Sequence, residues 1–337
     1  MKRIALAILA IAFVIGSVAP SFAVELQARG SWRAAGSWYD IEAQDSGTKT
    51  QTDTFRAAER ARIWFDFIAN ENLKAVLGLE IGDVVWGQGP AGDLGTDGVA
   101  IEVKHAYFDF NIPNTEINIK AGLQGIYIPG NLGSPILDDD AAAIMVSTPI
   151  NDMVSVAAGW IRSYDLDDGT HEAADPTTGV PYTEKDEVDT LALLVPVNAD
   201  GFSVTPYFLY TLIGQNTIDN LVITDQVGVN GSPWTDDATM WHAGFSGQLD
   251  MFDPIVVLMD AAYGSLALET AGNDIDVKGW FFDLAVDYKM DIMTPELFFY
   301  YTSGAGDDSD EISVFPAINA DMTFSSFLMD GSALGEC

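Results

Sequence analysis

The sequence predicts an all-β protein: a transmembrane antiparallel β-barrel of the up-and-down type. Three observations carry this. The first is strict alternation over unusually long runs. In TFRAAERARIWFDFIANENLKAVLGLEI (54–81) the odd positions from Phe55 to Ala69 are mostly apolar, whereas Arg56, Arg60, Arg62 and Asp66 share the even face. A period of two is the signature of a strand with two unlike faces. Soluble strands average about 5–6 residues, while longer ones with an aliphatic face opposite a charged face suit a wall with lipid on one side and water on the other. The second observation is that short turns alternate along the chain with long Gly/Asp-rich loops, as in a meander whose two ends differ. The third is composition: 48% of residues are hydrophobic and 31 are glycine, yet after the N-terminal segment no run approaches the roughly 18 apolar residues of a membrane helix.

Taken in order, Lys2-Arg3 precede an apolar run from Ile4 to Val18 and then PSFA at 20–23. A charged start, a short apolar run and small residues at Ser21 and Ala23 predict a secretory signal peptide over 1–23, too short to span a bilayer. The barrel chain is then 24–337. The first strand, Val24–Tyr39, sets Leu26, Ala28, Trp32 and Ala34 against Gln27, Arg29, Ser31 and Arg33. A polar loop over Asp40–Asp53 is expected. Strands two and three follow, joined by the turn Asn70–Asn72, and Gly82–Gly98 reads as loop. The fourth strand covers Val99–Ile112, with Phe108 and Phe110 opposite Tyr107 and Asp109; the fifth sets Ile117, Ile119 and Ala121 against Asn118 and Lys120.

Tyr127–Asp140 (YIPGNLGSPILDDD) is the one long loop that is not merely polar. It holds two prolines, two glycines, the apolar Ile136 and Leu137, and three aspartates. Strands Ala141–Ile150 and Met153–Tyr164 flank the turn Asn151-Asp152. Beyond an acidic loop at Asp165–Lys185, strands are expected near Val188–Val197, Phe202–Leu212, Thr239–Asp250, Ile255–Leu266, Val277–Met290 and Glu296–Ser303, with a short one near Met322–Leu328. Thirteen or fourteen strands result. Trp38, Trp64, Trp160, Trp241 and Trp280 lie near strand ends, where aromatic girdles would sit.

Charge narrows the function. After Lys2 and Arg3, 50 acidic residues face 13 basic ones, a formal net charge of −37, which argues against nucleic acid as a partner. Five of the six later arginines fall between 29 and 62, so the charge is asymmetric along the chain. The only cysteine is Cys337, which excludes an internal disulfide. His105, His171 and His242 form no metal-ligand spacing, Asp165–Gly169 lacks a full calcium-loop pattern, and no Ser/His/Asp arrangement, G-x-S-x-G or P-loop motif is present. No enzyme activity, metal or cofactor is expected.

VELQARGSWRAAGSWYD (24–40), RARIWFDFIANENLKAVLGLEIGD (60–83), KHAYFDFNIP (104–113) and KAGLQ (120–124) resemble the trimeric porins of Gram-negative outer membranes, and most closely the homotrimeric porins of sulfate-reducing bacteria. The resemblance implies a sixteen-stranded barrel, three barrels per assembly, contact with outer-membrane lipid and lipopolysaccharide, and a third loop folded into the lumen. Such barrels usually end on an aromatic residue, whereas this chain ends Gly335-Glu336-Cys337. A chain missing its last strands is therefore expected, with a complete fourteen-stranded barrel as the other reading. Function in this class rests on pore width and fixed charge. Alternation puts Arg29, Arg33, Arg56, Arg60, Arg62, Lys74 and Lys120 on the lumen face as a basic wall, and Asp138, Asp139 and Asp140 are assigned to the constriction loop opposite. An ordinary solvated strand face and an ordinary surface loop are the competing readings of the two sets. The expected function is passive diffusion of small hydrophilic solutes and ions. A substrate-selective channel, with Tyr207 and Phe281 along the path, and a structural or adhesive barrel are the alternatives.

Overall fold

The computed structural model describes residues 24–45, 48–89, 92–95, 101–165, 186–220, 234–270, 274–304 and 311–322. The expected signal peptide, the acidic segment 166–185, most of the strand expected near Met322–Leu328 and the C-terminal residues lie outside them.

Among the described residues seventeen strands follow in chain order: β1 Glu25–Asp45, β2 Thr48–Asn70, β3 Leu73–Val85, β4 Ile101–Asn111, β5 Asn118–Tyr127, β6 Gly133–Ser134, β7 Asp138–Pro149, β8 Ser155–Asp165, β9 Glu187–Leu194, β10 Val197–Ala199, β11 Phe202–Ile213, β12 Ala238–Phe252, β13 Ile255–Glu269, β14 Asp274–Tyr288, β15 Glu296–Thr302, β16 Glu311–Ile312 and β17 Asp321–Met322. A short 3-10 helix, Gln215–Asn220, follows β11. Thirteen strands form one continuous antiparallel path, β1-β2-β3-β4-β5-β7-β8-β9-β11-β12-β13-β14-β15. Each corresponds to a strand expected from the sequence. The chain is an all-β up-and-down meander, and among the described residues no ladder joins β1 to β15.

The first hairpin is longer than its hydrophobic pattern. Backbone pairing continues past Tyr39↔Thr54 to Asp45↔Thr48, where a polar loop was expected.

Register fixes the two faces. One rung runs Leu26, Phe67, Ala75, Phe108, Ala121, Ile144, Trp160, Leu191, Tyr210 and Trp241, each opposite the next. It lies on the face that exposes large apolar side chains, among them Leu26, Phe108, Ile144, Leu191 and Trp280. The adjacent rung, one residue over and so on the other face, runs Gln27, Asp66, Val76, Tyr107, Gly122, Ala143, Ile161, Thr190, Thr211, Met240, Leu266 and Val277. Ile161, Met240, Leu266 and Val277 are fully buried there.

The cover comes from two segments on this inner face. Residues 128–137, with β6, contribute Ile128, Ile136 and Leu137; residues 312–322, with β17, contribute Phe315 and Ile318. Both pack with Ile161, Leu209, Met240 and Leu266 in one apolar cluster. The inner face therefore divides. Its β1–β4 half carries ionic side chains, and its β8–β14 half, the dry half below, is largely apolar and covered by the inserted segments.

Candidate functional site

The ionic half is built on β2. Arg62 lies opposite Glu80, with Nε to Oε2 at 2.5 Å. It shares a face with Glu80 and not with Leu77 and Leu79, which lie opposite Phe65 and Ile63. Register breaks between Glu59 and Ala61, where Glu59 pairs Val84 and Ala61 pairs Ile81. Arg60 and Asp83 both sit in that irregularity. Bulges re-aim side chains, and this one brings the Arg60 guanidinium against Asp83 in a two-point contact at 2.7 and 2.9 Å, with Glu80 at 3.7 Å. Arg60 is only 7% exposed.

Arg33 lies directly opposite Arg60 and Arg56 opposite Ser37, so both sit in the same ladder of inner-face residues. Arg29 reaches Asp66 at 3.4 Å and lies over the Trp64 ring at 5.1 Å. Lys74 faces Asp109 at 3.4 Å. Lys120 is opposite Asp109 in register, and Asn118 Nδ2 donates to the same carboxylate at 2.7 Å. The structure thus brings the seven basic positions onto one face of β1, β2, β3 and β5. It also interleaves acids among them: Asp66, Glu80, Asp83 and Asp109. Arg29, Arg60, Arg62 and Lys74 form ion pairs with these acids. Alternation already puts Asp66, Glu80 and Asp109 on that face, so their share in the wall is readable from the sequence; pairing with Asp83 is not, because it requires the bulge.

Asp138, Asp139 and Asp140 are not in the loop. They open β7, opposite Tyr127, Ile126 and Gly125. Edge-on pairing with β5 captures three residues whose charges alone read as loop. Asp140 then enters a hydrogen-bonded network with β4. Lys104 Nζ donates to its Oδ2 at 2.5 Å, and His105 Nε2 donates to its Oδ1 at 2.9 Å. Trp64 Nε1 donates to His105 Nδ1 at 2.9 Å, which makes Nδ1 the acceptor and leaves the ring proton on Nε2. Lys104 is the extra residue of a β3–β4 bulge, since Gly78 pairs His105 while Leu79 pairs Val103. Trp64 fits because its neighbour across the ladder is Gly78, where a Cβ would stand 2.8 Å from Trp64 Nε1. Trp64 therefore faces inward, unlike Trp160 and Trp280 on the apolar face, and is not part of an aromatic girdle.

The segment that crosses the inner face is 128–137. Its tip reaches the opposite half of the sheet: Asn131 Nδ2 donates to Asp260 Oδ1 at 2.6 Å and to the Gly247 carbonyl at 3.1 Å, and the Asn131 backbone N–H donates to Asp260 Oδ2. Asp260 is opposite Asp283, and both are buried. Tyr207 and Phe281, assigned in one reading to a solute path, are buried on the dry half. A cavity of about 270 Å³ opens on the inner face between the halves, lined by Lys120, Gln124, Tyr127, Met145 and Ser147 among others. Among the described residues no three metal-ligating side chains cluster.

No protein-family profile matches the chain, and no curated protein sequence matches it. Solved structures do resemble it in fold, at low identity. OmpF of Salmonella typhi in complex with daunomycin is 12% identical over 84% of this chain and 80% of that chain, with a TM-score of 0.47. The outer-membrane channel DcaP of Acinetobacter baumannii is 11% identical over 84% and 92%, with a TM-score of 0.42. OmpT, an outer-membrane protein of Vibrio cholerae in trimer form, is 12% identical over 88% and 96%, with a TM-score of 0.40.

Proposed function

We propose that the protein is an outer-membrane porin, a water-filled channel through which small hydrophilic solutes and ions diffuse passively. The observation that carries this is the two-sidedness of the register: Leu26, Phe108, Ile144 and Leu191 on one face, and Arg29, Arg60, Arg62 and Lys74 with their acids on the other. An apolar band exposed on a sheet surface belongs against lipid, and lipid tolerates strands only where their backbone groups are paired. Charges on the opposite face then line water.

In this reading the ladder from Arg29 to Lys120 is one side of the passage and the segment 128–137, held at Asp260, is the element that narrows it. Ion pairing lowers the net positive field of the ladder, so weak rather than strong anion preference follows. Assembly as a homotrimer, as in the homotrimeric porins that the sequence resembles, contact with lipopolysaccharide and export through a cleaved signal peptide belong to the same proposal.

One observation favours a narrower variant. Half of the inner face is dry and covered, so the open path is smaller than the sheet alone would enclose, which suits a substrate-selective channel. Reconstitution in planar bilayers tests both readings. Ohmic current unaffected by millimolar sugars or peptides supports general diffusion, and saturable block by one solute class supports selectivity. A protein that inserts and passes no current contradicts both.

A further inference from the structure

The segment 312–322 is tied into the interior at every stage. At its start, β16 pairs β14 at Asp276 and Val277. Next comes a groove made of absent side chains. Gly264 of β13 and Gly279 of β14 lie opposite each other, with His242 of β12 opposite Gly264. A Cβ on Gly279 would stand 2.3 Å from the Phe315 backbone nitrogen, and one on Gly264 would stand 2.9 Å from Pro316 Cγ. Contacts below 3.0 Å require something to move, so residues 314–316 lie where only glycine leaves room. His242 Nε2 donates to the Pro316 carbonyl at 2.8 Å, and Phe315 packs its ring against His242 and Phe281 at centroid separations of 5.6 and 5.8 Å.

The same segment then meets the loop from β5. Ile318 and Asn319 donate their N–H groups to the Ile136 carbonyl at 3.0 Å, and Asp138 donates to the Asn319 carbonyl at 3.0 Å. Asn319 Nδ2 donates to Asp139 Oδ2 at 2.6 Å. Finally β17 pairs β6, with Asp321 opposite Ser134 and Met322 opposite Gly133. Ile318 is 1% exposed and Ile136 is fully buried. Each segment thus buries apolar side chains that the other covers.

We propose that residues 312–322 are a second pore-narrowing element, docked in the His242–Gly264–Gly279 groove, that braces the segment 128–137 from behind and sets the width of the passage together with it. Two inserted segments joined by a ladder move as one body. The passage is then limited by a composite wall rather than by a single loop, and solute size selection depends on residues 180 positions apart in sequence. This rests on the channel reading above.

Two variants test it in the full chain, each in a Cys337→Ser background. Ser134→Cys with Asp321→Cys places two thiols on directly paired residues of β6 and β17, within the reach of a disulfide. Gly279→Val fills the groove. The double-cysteine protein, reconstituted and oxidised, is expected to form the disulfide and keep the parent conductance. Gly279→Val, checked for a folded barrel by heat-modifiable mobility, is expected to raise single-channel conductance by about twofold through a wider passage and to abolish the disulfide when combined with the cysteine pair. Failure of the disulfide to form in the folded parent overturns the docking. A disulfide that forms, with Gly279→Val conductance equal to that of the parent, overturns the narrowing role. If the parent forms the disulfide but passes no current, the channel reading fails instead, and a Gly279→Val protein that also stays silent overturns this inference with it.

Discussion

Asn131 gives both its backbone N–H and its side-chain amide to the one carboxylate of Asp260, 129 positions away in the chain. A carboxylate that accepts two hydrogen bonds from one residue fixes that residue's position and orientation at once. The segment 128–137 is held at its tip by this contact, and near its end by the ladder with 318–322. Asp260→Ala removes the acceptor of the Asn131 backbone N–H and one of the two acceptors of its side-chain amide, at a cost of about 1–3 kcal/mol in docking. Single-channel recordings are expected to show added open-state noise and a higher mean conductance. Traces indistinguishable from the parent would mean that the tip is not restrained here.

Arg60 is in two-point contact with Asp83 and buried. Arg60→Ala leaves Asp83 and Glu80 without it. The reversal potential in a salt gradient should move toward cation preference by about threefold in permeability ratio, and thermal stability should fall by about 2 kcal/mol, since charge-assisted hydrogen bonds are lost. An unchanged reversal potential would remove Arg60 from the ion path.

Leu209 provides the contrast. It is fully buried on the same face but on the dry half. Leu209→Ala should cost about 2–5 kcal/mol by leaving a cavity, measured as a lower unfolding midpoint in detergent, while selectivity stays that of the parent. A selectivity change as large as that of Arg60→Ala would mean that water reaches the dry half.

Phe108 tests the outer face. Its ring is exposed on the apolar rung between Ala75 and Ala121. Phe108→Arg should cost about 2–4 kcal/mol if the residue is near the bilayer midplane, seen as a fall in folding efficiency into vesicles, with little effect in denaturant-free detergent. Equal folding into vesicles by the variant and the parent would contradict a lipid-facing assignment.

The strands were legible because their cause is local: two unlike solvents impose a period of two, which β1, β2, β3, β5 and β14 carry most cleanly. The hairpin end beyond Tyr39 was not, since its sequence from Asp40 to Thr54 is mostly polar and reads as loop. Asp138–Asp140 read as loop because charge is a local signal, whereas their place in β7 is decided by β5 beside them. Trp64 shares the even face with the arginines, and that parity already pointed inward; its position near a strand end pointed the other way. The docking of 312–322 had no local trace at all. Its determinants are Gly264 and Gly279 on two other strands, and their missing side chains acquire meaning only once the register is known.

The central claim is that one face of the sheet meets water inside a channel and the other meets lipid. Single cysteines at positions 62 to 67, in the Cys337→Ser background, measure it directly with a charged, membrane-impermeant thiol reagent applied to the reconstituted protein during current recording. The account predicts reaction and a stepwise fall in current at 62, 64 and 66, and neither at 63, 65 and 67. Reaction without alternation, or labelling at the even positions that leaves the current unchanged, would contradict it.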